Sequence, residues 1–557
     1  MNAKRAFGLV FVALLIALLG ATAARADTWG DPFPIGPADG YKGEVIGAMD
    51  AAGNMVVGWT QDLPDPVGNN YSDLFAQRLN PAGAPVGQPF QLNAAGDEQE
   101  SLGDLSMDAA GNFVAVWWND YADTLSGRCF AADGAPRGGD FLLGAQGRPQ
   151  PTPTVEMAND GRFVVAWGER ADDQSDNQIY ARLFGADCQP LGAPFLVNNV
   201  NSGDEYEPAV AMDTAGNFVI AWTGNDGIAA RRFSRDGAPR GGQFRVNQRQ
   251  RNGVWGVDVA LDAAGNAMFA WTAYVRIPGW GHNDVYVRRF NARGAALGGE
   301  SLAHEASAGD EEYPSIAAHA SGEFAVVYLS DGPWARFYNA QGRPNGPARP
   351  LAAFGSNVVV PALATCGANP YLTLWATGVA YDKQILGRLL DGQSGPPAAT
   401  FLPTNDAYVS SAAPDAVFNS RRLNVRDAAQ DFGAYLKFNV SGLSGDVQAA
   451  RLRLWVVDAG PDGGYVWATS PYYLGTTTLW QETGLTWNNA PYAICCEYPV
   501  APQAANRWVE VDVTPAVLDA LADSGRVSLA IWGGSANAVG YSSKEGLHPP
   551  QLVVFTE

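Results

Sequence analysis

The chain has little of what catalytic sites are usually made from. Four His and five Cys are spread over 557 residues. No Cys-Xaa-Xaa-Cys pair, Gly-Xaa-Ser-Xaa-Gly elbow or His-Glu-Xaa-Xaa-His helix occurs, so the common zinc, serine-hydrolase and metalloprotease patterns are excluded. Basic residues are scarce too: 36 Lys and Arg stand against 57 Asp and Glu, a net charge of −21. So acidic a chain argues against nucleic acid or an anionic membrane surface as partner. After the first residues, no run is long and apolar enough to span a bilayer. What the chain has in quantity is glycine and proline, 64 and 36, without a collagen period. That composition suits a turn-dense, all-β protein.

Residues 1–26 have the form of an export signal. Lys4 and Arg5 precede an apolar run from Phe7 to Leu19, and Ala24-Arg25-Ala26 is a small-residue cleavage site. The expected location is therefore secreted or extracellular, with the periplasm or cell surface open. Export permits disulfides, but Cys129, Cys188, Cys366, Cys495 and Cys496 are odd in number, and the sequence does not fix their pairing.

Residues 41–403 repeat one phrase: an apolar strand, an Asp-Ala-Ala-Gly-Asn type turn, a second strand ending in an aromatic residue, and a third carrying Arg. The aromatic ends are Trp59, Trp117, Trp167, Trp222, Trp271, Tyr328 and Trp375, spaced 47 to 58 residues apart. The third strand aligns Gln77, Arg128, Arg182, Arg231, Arg288, Arg336 and Arg388 in one column. A four-stranded unit of about fifty residues cannot bury both of its faces alone, but seven arranged radially can. The predicted architecture is all-β: a seven-bladed β-propeller over 27–401, then a jelly-roll β-sandwich over 402–557. The Asp-Xaa-Xaa-Gly-Asn phrase reads as a hairpin turn, because tight turns need those residues. Trp29 to Gly36 resembles the fourth-strand phrases and has no blade of its own, so it is predicted to close the seventh blade.

From about Leu402 the repeat stops and period-two alternation continues, with one short helix expected from Thr514 to Leu521 behind Pro515. This segment carries Pro403-Thr404-Asn405-Asp406-Ala407-Tyr408-Val409, Tyr435-Leu436-Lys437-Phe438-Asn439-Val440-Ser441 and Trp480-Gln481-Glu482-Thr483-Gly484-Leu485-Thr486-Trp487-Asn488. It ends with Asp512-Val513-Thr514, Ser542-Ser543-Lys544-Glu545 and Pro550-Gln551-Leu552-Val553-Val554. In these motifs it resembles the DNRLRE family of jelly-roll carbohydrate-binding modules. The resemblance implies an extracellular module, with acidic polysaccharides such as alginate among the ligands of related modules. The insertion around Cys495 and Cys496 departs from the family pattern.

Two sets of candidate site residues emerge. Alternation turns Arg422 and Arg426, Tyr435 and Lys437, and Arg451, Arg453 and Trp455 outward from their strands. If those strands are neighbours, they form a basic, aromatic face for an anionic polysaccharide, since guanidinium forks suit carboxylates. On the propeller, the links into alternate blades repeat Asp97-Glu98, Asp204-Glu205 and Asp310-Glu311, hard oxygen donors of the type that suits calcium. No catalytic residue is assigned. His282, beside Trp280, is the one candidate base for a lyase, and a surface histidine is the expected reading. The sequence thus points to a secreted, non-catalytic, polysaccharide-binding protein. The alternative is an extracellular polysaccharide lyase or glycoside hydrolase with an appended binding module.

Overall fold

The computed structural model describes residues 29–556 apart from short internal stretches, among them 95–98, 171–175 and 391–397. Residues 1–26, where the sequence predicts an export signal, lie outside the described residues, as do Asp97, Glu98 and the side chains of Trp280, Cys495 and Cys496. No described helix is long and apolar enough to cross a membrane.

Seven antiparallel sheets make the first part. Six run in chain order, from Lys42–Met49, Met55–Pro64, Asn70–Leu79 and Pro85–Gln91 in the first blade to Glu312–Ala318, Phe324–Leu329, Pro333–Tyr338 and Arg349–Pro350 in the sixth. The seventh uses Val358–Ala364, Tyr371–Val379 and Asp382–Leu390, and its outermost strand is Phe33–Ile35 from the start of the chain. Phe33 pairs with Gly387 and Ile35 with Ile385, so the predicted closure is what the ring uses. It leaves this blade no open edge at the seam.

The repeated residues are structural. Trp59, Trp117, Trp167, Trp222, Trp271 and Trp375 are fully buried between blades. The arginine column clasps the preceding blade: one terminal nitrogen of Arg182, Arg231, Arg288 and Arg388 donates to the carbonyl of Leu143, Val197, Val246 and Leu351 respectively. In the Asp-Xaa-Xaa-Gly-Asn phrase, Asp50 Oδ1 accepts from the backbone N–H of Ala52 and Asn54. Gly53 then takes φ 84°, a left-handed conformation that favours glycine. The phrase is a turn, as expected. Cys129 and Cys188 form a disulfide from the second blade to the third.

The second part is a two-sheet sandwich. One sheet contains Ala398–Phe401, Gln551–Thr556, Val447–Asp458, Val539–Ser542 and Arg422–Val425, with Arg507–Asp512 on the other edge of Val447–Asp458. The other contains Asn405–Ser410, Phe432–Asn439, Arg526–Trp532, Tyr465–Thr469 and Ala493–Pro499. The strand Ala398–Phe401 pairs with 552–555, so the sandwich starts a few residues before the predicted 402. Its helix runs from Thr514 to Asp523 with Pro in its first turn. Leu452, Leu454, Leu436, Phe438, Leu529 and Ile531 face inward into the core between the sheets.

Candidate functional site

The predicted basic face does not form as one surface, because its strands belong to different sheets. Arg451, Arg453 and Trp455 lie on the six-stranded sheet, Tyr435 and Lys437 on the five-stranded one. Alternation sorted inside from outside correctly within each strand but carried no information about which sheet a strand joins.

On the five-stranded sheet, the outward residues are covered by residues 470–492. Trp480, fully buried, packs with Ala407, Val409, Tyr435 and Leu485. The Tyr435 hydroxyl donates to the Pro491 carbonyl at 3.1 Å. The Lys437 ammonium donates to the Trp480 carbonyl and lies 4.5 Å from the centre of its ring. Burial, and secondarily the nearby Arg526, push that ammonium down to about 8. The family-like motifs lock the same region. Lys544 bridges Glu482 and Glu545, and its backbone N–H donates to Asp406 at 2.6 Å. Asp406 is itself raised to about 7, chiefly by burial. Tyr435 and Lys437 therefore anchor a lid and are not open to a ligand.

The outward residues of Val447–Asp458 are graded. Ala449 and Arg451, with Val553 and Phe555 of the neighbouring strand, are covered by the sixth blade. Trp334 of that blade meets Phe555 edge-on at 5.9 Å, and the Arg451 guanidinium lies 4.4 Å over the Trp334 ring while pairing with Asp512 at 3.3 Å. Two residues further on, Arg453 is half-buried, donates to Glu510 at 2.6 Å and Gln551 at 2.9 Å, and lies over the Trp508 ring at 4.8 Å. Two further still, Trp455 is partly open, 5.5 Å edge-on from Trp508 and 4.0 Å from the exposed His548 ring. Trp455, Trp508 and His548 thus make an aromatic platform with a guanidinium at its edge, just beyond the docked part of the sheet. Trp508 and His548 were missed in the sequence because they come from other strands and loops. The outward phase of Trp508, paired with Trp455, was the available signal.

Arg422 sits at the far edge of the same sheet, paired with Asp458 at 2.6 Å. Arg426 turns away, 4.5 Å over Phe432 at the corner between the sheets.

Residues 397–556 match carbohydrate-binding module family 96. The platform and the lid both fall within that module. A 95-residue stretch, 16% of the chain, is 34% identical to a gellan lyase of a Bacillus species, covering only 4% of that protein. In overall shape the chain is similar to a PL25 ulvan lyase solved with a glucuronate–sulfated rhamnose ligand (TM-score 0.42, 11% identity, 65% of this chain and 96% of that one). It is similar also to the propeller domain of the Trilobed protease from Pyrococcus furiosus (TM-score 0.37, 6% identity, 64% and 94%). The propeller assignment here rests on the strand pairing.

Along the propeller axis runs a cavity of about 1000 Å³, lined by the innermost strands. Its charged lining among the described residues is acidic, with Glu44, Asp104, Glu156, Asp213 and Asp258, and holds no Arg, Lys or His. Asp104 and Asp258 each accept a backbone N–H from the neighbouring blade, Val155 and Ile316. Burial raises both to about 6, and burial together with the charge of Asp104 raises Glu156 to about 8.

The link acids mostly latch blades together. Asp204 accepts from Asn177, and Asp310 from the Asn283 N–H. Glu205 faces Trp222 and is raised to about 7, chiefly by burial. Glu311 lies 3.6 Å from His304. His282 is buried, 3.3 Å from Asp284, and not at the surface as expected.

Proposed function

We propose that the chain is an exported, non-catalytic protein that binds an acidic polysaccharide through its family 96 module, with the propeller as a rigid platform beside it. The observation that carries the reading is the Trp455–Trp508 platform with Arg453 at its edge. An indole face takes the apolar face of a sugar ring, and a guanidinium fork takes a uronate carboxylate. A lyase reading finds less support on the propeller. Elimination at a uronate needs a cationic group to neutralise its carboxylate beside a base, whereas the axial cavity offers carboxylates that repel such a substrate.

The test is affinity electrophoresis of the full chain in gels of uronate-containing and neutral polysaccharides, with ultraviolet absorbance of the same mixtures followed over time. Acidic gels should retard the protein, less so at high salt because exposed charge pairs are screened. Absorbance from unsaturated products would replace the binding reading with the lyase one.

A further inference from the structure

At three blade junctions an Asn closes the fourth strand and ties it to the next blade or to its own third strand, and at the fifth–sixth junction that residue is His304. Between the first and second blades, Asn93 closes the fourth strand and donates to Asp73 at 2.9 Å and to Glu100. Glu100 also accepts from the buried Trp117 indole at 3.0 Å. Between the third and fourth blades, Asn198 holds the same place and donates to Gln178 at 2.7 Å. Between the fourth and fifth it is Asn247, accepting from the Ile228 N–H. Between the fifth and sixth blades the corresponding residues are Asp284, His304 and Glu311. The indole position that would face Glu311 is here Tyr328, the one non-Trp member of the aromatic column. Two positions in contact have thus changed together: amide to imidazole, indole to phenol.

The change alters the spacing. His304 Nε2 lies 3.5 Å from Asp284 Oδ1, and His304 Nδ1 lies 3.6 Å from Glu311 Oε2. Both are longer than a good N–H···O bond. The first fits two donors sharing an ion, since two ligands each about 2.1 Å from zinc stand about 3.4 Å apart at the tetrahedral angle; the second belongs to the ring's other nitrogen, which points away from such an ion. One donor atom from each of the three residues falls within 4.8 Å of the others. All three side chains are buried. The second oxygen of Asp284 is held by the Tyr286 hydroxyl at 3.0 Å, and His282 stands 3.3 Å from Asp284 Oδ1. A cavity of about 20 Å³, room for one water or ion, opens beside His304 and Glu311 and is closed by Tyr328, Trp334, Arg451 and Glu510. Around it Asp284, Glu311, Glu510 and Asp512 face the guanidinium groups of Arg451 and Arg453 and the imidazoles of His282 and His304. Buried carboxylates need compensating charge.

We propose that Asp284, His304 and Glu311 form a zinc site at the junction of the fifth and sixth blades, beneath the docked sandwich. Imidazole with two carboxylates suits zinc better than calcium, which takes oxygen donors alone. Its place against Trp334 and Arg451 couples ion binding to the docking of the binding module, so the ion stabilises the pairing of the two parts.

The test uses the full chain, stripped with chelator and titrated with zinc chloride by calorimetry and thermal melting, beside His304→Asn. That variant restores the amide used at three of the other junctions, so it keeps a side chain this fold already accommodates. The wild type should take up one equivalent of zinc and melt several degrees higher. His304→Asn should show neither effect, while melting like the stripped wild type. If His304→Asn fails to fold, Asp284→Asn serves in its place. A wild type that binds no zinc, one that takes calcium instead, or a variant that binds zinc as the wild type does would overturn the assignment.

Discussion

The two outer faces of the sandwich are built from the same kinds of residue and have opposite fates. Tyr435 and Lys437 on one sheet, and Arg453 and Trp455 on the other, are aromatic and basic and point outward at alternate positions. The first pair is sealed beneath Trp480 and the 470–492 segment. The second lies at the edge of a docked surface, with Trp455 and Trp508 partly open. Pointing away from the core is a local property of a strand. Being reachable by a ligand depends on what distant segments cover it, here a lid of the same module and a blade of the propeller.

The sealed face depends most on its lid. Trp480→Ala removes a fully buried indole that packs on Tyr435 and Lys437, a change that costs about 3–5 kcal/mol. Urea melting should show the sandwich unfolding well before the propeller. A loss below about 1 kcal/mol would mean the lid does not seal that face, since fully buried aromatic truncations cost several times more.

Arg451 and Arg453 sharpen the contrast within one strand. Arg451→Ala leaves Asp512 without its partner under the docked blade and should cost about 3–5 kcal/mol, as for a broken buried pair. Arg453→Ala breaks a half-exposed pair with Glu510 and should cost about 1 kcal/mol or less. Equal shifts in the two urea midpoints would contradict the graded burial along Val447–Asp458.

Much of this molecule was legible in its sequence, for a definite reason. Each blade repeats its inner, middle and outer strands, so aromatic ends and arginines fall into columns, and the orphan phrase Trp29–Gly36 is recognised by its likeness to the others. The sandwich was legible from alternation and from ordered motifs that the structure brings together, as where Lys544 meets Glu482, Glu545 and Asp406. What was not legible was non-repeating and long-range: which sheet each basic strand joins, that His282 is buried, and that Arg451 lies on Trp334 of another part of the chain. Asp204 and Asp310 are read from the sequence as hard oxygen donors repeated on one propeller face; the structure shows each also holding a backbone N–H group of the preceding blade, a role that spacing along the chain does not reveal.

A smaller effect separates the propeller from the sandwich by pH. Asp104, Glu156 and Asp258 line the axial cavity with folded-state values of about 6, 8 and 6, above their unfolded values. The folded chain therefore keeps protons that the unfolded chain releases, and propeller stability falls as pH rises from about 4 to about 8. Glu156→Gln should flatten the upper part of that slope, so the variant gains on the wild type between pH 6 and 8 in thermal melts. Superimposable pH profiles would show that Glu156 does not carry the upper part of the slope.

The smallest change in stability and the largest in function are expected at the platform. Trp455 and Trp508 are partly exposed, so replacing both by alanine should lower the melting temperature by only a few degrees. Isothermal titration of the full-length double variant with the acidic polysaccharide that retards the wild type measures whether the two indoles hold the ligand. Affinity should fall by roughly fivefold to a hundredfold, given about 0.5–1.5 kcal/mol for each of the two aromatic contacts and about 1.4 kcal/mol for each tenfold. Binding equal to that of the wild type, in a variant that stays folded, would place the ligand elsewhere and contradict the proposed site.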